Sequence, residues 1–233
     1  MHLLLISNST NAGESYLQYP KEQIGKFLKN IDQVLFIPYA AVTFSFDEYE
    51  KKVQDAFTEL WIGVRSIHRC ASPPQAVKEA KAIVVGGGNT WQLARYLHDL
   101  NLTDAIREKV MGGTPYVGWS AGSNVACPTI RTTNDMPVID PKGFEAFNLI
   151  PFQINPHYLD ANPDGHAGET REQRILEFIE INPDLFVVGL REGTMLEIHD
   201  HKIELIGPRP ARIFRKGEEP REVSAGGELG FLL

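Results

Sequence analysis

The chain has 233 residues, enough for one large domain with a sizeable core, and its 42% hydrophobic and 23% charged residues match an ordinary globular fold. A net charge of −7 without a basic cluster argues against nucleic acid as a partner, and no apolar run reaches the length of a membrane span. Two cysteines, Cys70 and Cys127, lie outside any C-x-x-C spacing, which argues against a disulfide scaffold or a zinc knuckle.

His2 to Ser7 is a short apolar run closed by Asn8, Ser9 and Thr10. It reads as a buried first strand rather than a signal peptide, so a reducing, cytoplasmic setting is expected. Lys21–Leu28 has weak helical patterning, with Ile24, Phe27 and Leu28 on one side. Gln33–Ile37 reads as a strand stopped by Pro38. Phe46–Leu60 is predicted helical from Tyr49, Val53, Phe57 and Leu60, with Ser45 or Asp47 as its cap. Val64–Ile67 is a short strand. Ser72-Pro73-Pro74 opens a helix that ends before Lys81, because proline suits a first helical turn.

Ala82–Val85 is a further strand, followed by Gly86-Gly87-Gly88-Asn89-Thr90. Helices are predicted from Trp91 to about His98 and from Thr103 to Val110. The strand Pro115–Val117 then runs into Gly118-Trp119-Ser120-Ala121-Gly122 and the small residues Ser123 to Ala126. Strand and helix alternate up to this point, which implies a mostly parallel sheet with helices on both faces. Such sheets carry function at the carboxyl ends of their strands, where both the glycine loop and Ser120 fall.

Regular patterning stops from Cys127 to Pro156, apart from a short strand at Gln153 and Ile154 that ends at Asn155-Pro156-His157. A long polar loop inside a compact domain is usually functional. Glu169–Ile181 is predicted helical, and Leu185–Leu190 is a strand ending at Arg191-Glu192-Gly193. From Met195 onward short strands at Leu196–Ile198, Ile203–Ile206 and Ile213–Phe214 suggest a β-rich tail packed on the sheet edge. No repeat or linker divides the chain, so residues 1–233 read as a single domain.

Gly-Trp-Ser-Ala-Gly fits the G-x-S-x-G elbow, in which a serine stands on a tight turn between strand and helix. Glycines at 118 and 122 allow strand and helix to approach, and a helix N-terminus at Ala121 would offer a free N–H to an oxyanion. The bland alternative is a strand-to-helix turn with an incidental serine. Serine needs a base. Of seven histidines, His157 and His166 lie in turns on the C-terminal half of the sheet, and His157, at a strand end, is the better base. Two acids suit the role of orienting it: Glu192, on the same rim of the sheet, and Asp135, in the polar loop. The glycine loop reads as an oxyanion-hole loop through Gly88 or Asn89, or as a plain turn in which Asn89 caps a helix; it lacks the P-loop Lys-Ser/Thr. Arg131 and Arg171 are the rim arginines able to bind a carboxylate bidentately. His157, Asp160, Asp164 and His166 form a weaker metal-ligand alternative without helical register.

Leu-Leu-Ile-Ser-Asn-Ser-Thr, Gly-Gly-Gly-Asn-Thr, Gly-Trp-Ser-Ala-Gly-Ser-Asn, Pro-Thr-Ile-Arg-Thr-Thr-Asn-Asp-Met-Pro, Asn-Pro-His and Gly-His-x-Gly-Glu-Thr-Arg-Glu-Gln-Arg-Ile together resemble the peptidase E family of α-aspartyl dipeptidases. The resemblance runs from the first strand to about Glu192. It implies a flavodoxin-like α/β three-layer sandwich akin to class I glutamine amidotransferases, acting in the cytoplasm on dipeptides with N-terminal aspartate. It implies no metal and no cofactor. It places the nucleophile on Ser120 and the base on His157, and leaves Glu192, favoured for rigidity, and Asp135 as third members. An oxyanion hole from Gly88 and Ala121, and Arg171 as the partner of the substrate aspartate, follow as expectations. Monomer and homodimer both fit. Two rivals remain: a cyanophycinase-like β-aspartyl peptidase on the same scaffold, and a non-catalytic anion- or nucleotide-binding protein.

Overall fold

The computed structural model describes residues 1–162, 165 and 167–233. The first half alternates as expected: β1 (His2–Ile6), α1 (Lys21–Phe27), β2 (Gln33–Ile37), α2 (Phe46–Thr58), β3 (Gly63–Ser66), α3 (Pro73–Glu79) and β4 (Ile83–Val85). Next come α4 (Thr90–Asp99), α5 (Leu102–Met111), β5 (Tyr116–Trp119) and α6 (Ala121–Asn124). Local chemistry sets the ends. Ser45 and Glu48 form a reciprocal capping box on α2, and Asn89 accepts from the Gln92 N–H to cap α4. Ser45, not Asp47, is the cap.

The strands assemble in the order β3-β2-β4-β5-β1, all parallel. Two later strands, β8 (Met195–His199) and β9 (Lys202–Ile206), following β6 (Gln153–Tyr158), α7 (Arg171–Ile181) and β7 (Val187–Arg191), extend this sheet antiparallel beyond β1. Side-chain alternation along the strands creates two cores. Leu4, Ile6, Val34, Phe36, Val117 and Trp119 face Ile24 of α1 and Tyr49, Val53 and Phe57 of α2. Leu3, Leu5, Ile37, Val85 and Tyr116 face the other way, toward Val77 of α3, Leu93 and Leu97 of α4, and Ile106 and Val110 of α5. Each fully buried side chain of this size contributes about 1.5–3 kcal/mol, so the stripes outweigh the modest helix propensities. This is the expected α/β sandwich.

A second sheet departs from the expectation of a simple edge-packed tail. β10 (Ala211–Phe214) and β11 (Arg221–Val223) turn away from β9 and build a four-stranded sheet in the order β11-β10-β7-β6. Its Ile154, Val188, Leu190, Ala211 and Ile213 join the core that contains α3, α4 and α5, while Tyr158, Val187 and Phe214 pack on Ile175 and Ile179 of α7. β6 also runs through Asn155-Pro156 instead of stopping there. Pro156 is tolerated because β6 is an edge strand of this sheet, where a missing N–H breaks no ladder.

Arg191, at the end of β7, holds this sheet to its loops. Its guanidinium, almost fully buried, donates to Asp160 at 2.9 Å, to both Glu222 oxygens at 2.7 and 2.9 Å, and to the Pro210 carbonyl at 2.6 Å. These hydrogen bonds hold the Asp160 and Glu222 carboxyls below their ordinary values. Both groups therefore bind protons more weakly folded than unfolded. Their stabilisation is present above the ordinary carboxylate range and is lost as pH falls through the lowered native values. Glu222→Gln should accordingly flatten the fall of Tm between about pH 5 and pH 2; an unchanged slope would remove the cluster's role. A second prediction concerns Gly122, where an added Cβ would lie 2.2 Å from the Val85 carbonyl oxygen, a backbone atom that cannot swing aside. Gly122→Ala should cost about 2–3 kcal/mol in denaturant unfolding, and a loss below about 0.5 kcal/mol would show that α6 can move off β4.

Candidate active site

Ser120 follows β5 directly and adopts φ +54° and ψ −112°, a conformation that L residues enter only when the surroundings enforce it. The enforcement is visible. Its N–H donates to the Ile6 carbonyl at 3.0 Å, and its carbonyl accepts from the Ser123 and Asn124 N–H groups at 2.9 and 3.0 Å. The buried Ser123 hydroxyl lies 2.7 Å from the Ile6 carbonyl and 2.8 Å from the Gly118 carbonyl, fastening α6 across β1 and β5. The role of Ser123 is mechanical. α6 is a single turn, so little helix-dipole field stands behind the serine at position 120. What remains for an oxyanion is the Ala121 N–H itself, which has no acceptor among the described residues.

His157 comes from the other sheet. The pairing of β6 with β7 shifts register between Pro156 and Tyr158, and His157 bulges out at φ +54°. Its Nε2 lies 3.0 Å from Ser120 Oγ, and its Nδ1 lies 2.7 Å from Glu192 Oε1. A carboxylate only accepts, so the neutral ring carries its proton on Nδ1 and offers the Nε2 lone pair to the serine hydroxyl. Glu192 sits in the tight turn after β7. That turn is held by the Gly193 N–H donating to Asn8 Oδ1 at 2.9 Å, with Gly193 at φ +82°, and by Arg191 beside it.

Asp135 is bound elsewhere. Its Oδ2 accepts from the Thr90 N–H at 2.8 Å, the Thr90 hydroxyl at 2.6 Å and the Thr133 hydroxyl at 3.1 Å. It makes no hydrogen bond to His157; its charge caps the N-terminus of the ten-residue α4. Asn89 also differs from its oxyanion expectation. Its N–H donates to the Ala40 carbonyl at 2.8 Å, and its side chain caps α4 and reaches the Met136 carbonyl at 2.9 Å. Gly88, at φ +133°, keeps an N–H with no acceptor among the described residues.

The long polar segment is tied down rather than loose. Asn155 Nδ2 donates to the Thr132 carbonyl and to Asn134 Oδ1 at 2.9 and 2.8 Å, and Asn134 Nδ2 donates to the Pro156 carbonyl at 2.7 Å. It walls a cavity of about 310 Å³ lined by Thr90, Ser120, Asp135, Pro156, His157 and Arg171. Arg171, the first residue of α7, is half-buried and has no ion-pair partner among the described residues. Burial, with Arg174 nearby, lowers its affinity for a proton, opposed by the charge of Asp135. Arg131 instead lies over the Phe144 ring at 4.9 Å. In the metal alternative, Asp164 and His166 fall outside the described residues, while His157 and Asp160 are engaged by Glu192 and Arg191. Cys127 is fully buried; burial raises its thiol to about 12, consistent with a wall residue.

The profile of peptidase family S51 matches residues 3–206. Peptidase E of Nostoc sp. is 52% identical over 232 residues, covering 99% of this chain and 96% of that protein. Peptidase E of Salmonella arizonae is 46% identical over 226 residues, covering 97% and 99%. Two solved structures share the fold. One is a peptidase E-type protein of Listeria monocytogenes EGD-e, with TM-score 0.65 at 21% identity over 89% of this chain and 98% of that one. The other is a peptidase from an acI-B1 Actinobacterium, with TM-score 0.66 at 18% identity over 97% and 94%. Similarity of that extent along nearly the whole sequence means that the protein belongs to peptidase family S51 and is a serine-type peptidase.

Proposed function

We propose that the chain hydrolyses dipeptides with an N-terminal aspartate through an acyl-enzyme on Ser120. The observation that carries the reading is the unbroken hydrogen-bonded line from Ser120 Oγ through the His157 ring to Glu192. His157 takes the hydroxyl proton as Ser120 attacks the peptide carbonyl, then returns it to the leaving amine. Water repeats the sequence to release aspartate. Glu192 holds the ring in the required tautomer and steadies the imidazolium. The Gly88 and Ala121 N–H groups receive the oxyanion. Asp135 has a different part: it anchors the loop that walls the cavity.

Substrate selection rests on Arg171 and on size. A half-buried guanidinium with no ion-pair partner among the described residues, on the wall of a cavity of about 310 Å³, suits the carboxylate of a bound aspartate. That volume is at the small end for ligand sites, which favours a dipeptide over a longer chain. Residues 1–233 act as one unit, because the nucleophile comes from the first sheet and the base and acid from the second. A cytoplasmic setting accords with two unpaired cysteines, Cys70 and Cys127. Among the described residues no helix is long and apolar enough to cross a membrane.

Release of aspartate from Asp-Leu should vanish in Ser120→Ala, and Ser120 should be labelled by a fluorophosphonate in the wild type but not in His157→Ala. Absence of labelling would favour the binding-protein alternative, and preference for a β-aspartyl substrate would favour the cyanophycinase-like one. Glu192→Gln should lower kcat by at least about 100-fold. Asp135→Asn should lose less and show its effect in Tm; equal losses with the fold intact would exchange the two roles. Arg171→Ala should weaken transition-state binding of Asp-Leu by roughly 2–5 kcal/mol while sparing acylation by an uncharged activated ester. Equal losses on both substrates would refute that assignment.

A further inference from the structure

The glycine loop after β4 is pinned at both ends by backbone hydrogen bonds, with none to the backbone between them among the described residues. The Gly86 N–H donates to the Ile37 carbonyl at 3.2 Å, and the Asn89 N–H donates to the Ala40 carbonyl at 2.8 Å. Between these anchors lies the peptide joining Gly87 to Gly88. Neither residue has a Cβ to resist rotation of that peptide, so its flipping is sterically cheap. Its orientation matters. A trans peptide points its carbonyl and its N–H in opposite directions, and the structure holds no cis peptide among the described residues. One orientation offers the Gly88 N–H to the reaction centre; the other would present a carbonyl oxygen that repels an oxyanion. The loop lies directly against the nucleophile, since a Cβ on Gly87 would sit 3.0 Å from Ser120 Cβ.

On the α2 side of the loop stands Tyr49, fully enclosed. Its hydroxyl lies 2.8 Å from the Gly87 carbonyl. Indole N–H can only donate, and Trp119 Nε1 approaches the same hydroxyl at 3.2 Å. The Tyr49 oxygen therefore accepts from Trp119, and its own proton is directed to Gly87. Tyr16 OH is a more distant neighbour at 3.5 Å, its ring carrying Lys52 Nζ at 4.1 Å. Burial raises the Tyr49 phenol to about 12, so it stays a donor across the neutral range.

We propose that Tyr49 is a positioning residue for catalysis, locking the Gly87–Gly88 peptide so that the Gly88 N–H remains available to the oxyanion formed at Ser120. Trp119, next to the nucleophile in sequence, orients that lock from the elbow side. The proposal rests on the dipeptidase reading above, because it supplies the oxyanion that the Gly88 N–H would meet.

The test compares wild type, Tyr49→Phe and Tyr16→Phe with three probes. The first is Asp-Leu turnover. The second is the aldehyde of aspartic acid, whose carbonyl carbon bonds to Ser120 Oγ; the serine proton passes to His157 and the former carbonyl oxygen becomes an oxyanion in the hole. The third is the reduced-amide analogue of Asp-Leu, which fills the cavity without forming an oxyanion. Tyr49→Phe should lower kcat by about 10- to 100-fold with KM within about threefold, as expected for misplacing one donor of such a hole. The aldehyde should lose affinity by the same factor, and the reduced amide should bind within about twofold of wild type. Tyr16→Phe, and replacement of Tyr49 by 3-fluorotyrosine, which keeps the hydroxyl, should both stay within about threefold of wild type on every probe. Unchanged kcat and aldehyde affinity in Tyr49→Phe would overturn the proposal, as would equal losses for the aldehyde and the reduced amide, which signal general damage. If Tyr49→Phe does not fold, a loss of kcat well beyond about threefold in the 3-fluorotyrosine protein, matched by an equal loss of reduced-amide affinity, would likewise overturn it. A wild-type protein that neither cleaves Asp-Leu nor reacts with a fluorophosphonate at Ser120 would instead bring down the dipeptidase reading itself.

Discussion

One buried hydroxyl joins the two sheets at the place where they share chemistry. Ser7 follows β1, the strand that carries the antiparallel extension of the first sheet. Its Oγ donates to the Leu190 carbonyl on β7 at 2.7 Å and accepts from the His157 N–H on β6 at 3.0 Å, while its own N–H donates to the Thr194 carbonyl at 3.0 Å. The side chain is wholly enclosed. A left-handed, non-glycine residue such as His157 costs about 1–3 kcal/mol and persists only where its neighbours over-determine it. Leaving its buried N–H without an acceptor would add about 1–3 kcal/mol more. Ser7 meets that N–H, and the imidazole of the bulged residue is thereby aimed across the seam at Ser120.

The second half of the arrangement is a wall. The segment between α6 and β6 has no regular structure, yet its side-chain amides and hydroxyls form a continuous web with β6 and the start of α4. Charge is placed with economy there: Asp135 caps a helix N-terminus, and Arg171 faces the same cavity with no ion pair among the described residues, feeling the Asp135 charge only at a distance. The cavity beside Ser120 thus holds one cation, Arg171, and one carboxylate already committed to a helix N-terminus.

Much of this was legible in the sequence, and the misses share a cause. Tyr49, Val53 and Phe57 recur at helical spacing because they line one core, so α2 could be read with little error. The elbow was readable because only glycine fits at 118 and 122, each within 2.5 Å of backbone if given a Cβ. The second sheet was not, because β10 and β11 are short and their partners β6 and β7 are far away in sequence; nothing local encodes that pairing. Reading proline as a stop hid the last residues of β6, since an edge strand tolerates it. Asp135 and Asn89 were assigned chemistry by their proximity to motifs, whereas each is bound to the start of α4. The rigidity argument for Glu192 found the residue that touches His157 because a tight turn at a strand end is visible in sequence, while the Ser7 bridge is not.

The Arg191 cluster ties the chemistry to the order in which the chain is made. The guanidinium beside Glu192 draws its partners from residue 160 and from residue 222 on the last strand. During synthesis residues 120 and 157 leave the ribosome before β11 does. Until it arrives, the arginine is only half neutralised and the turn bearing the acid lacks one of its braces. The hydrogen-bonded line from Ser120 to Glu192 thus leans on a brace from the last strand, far along the chain from the residues it steadies.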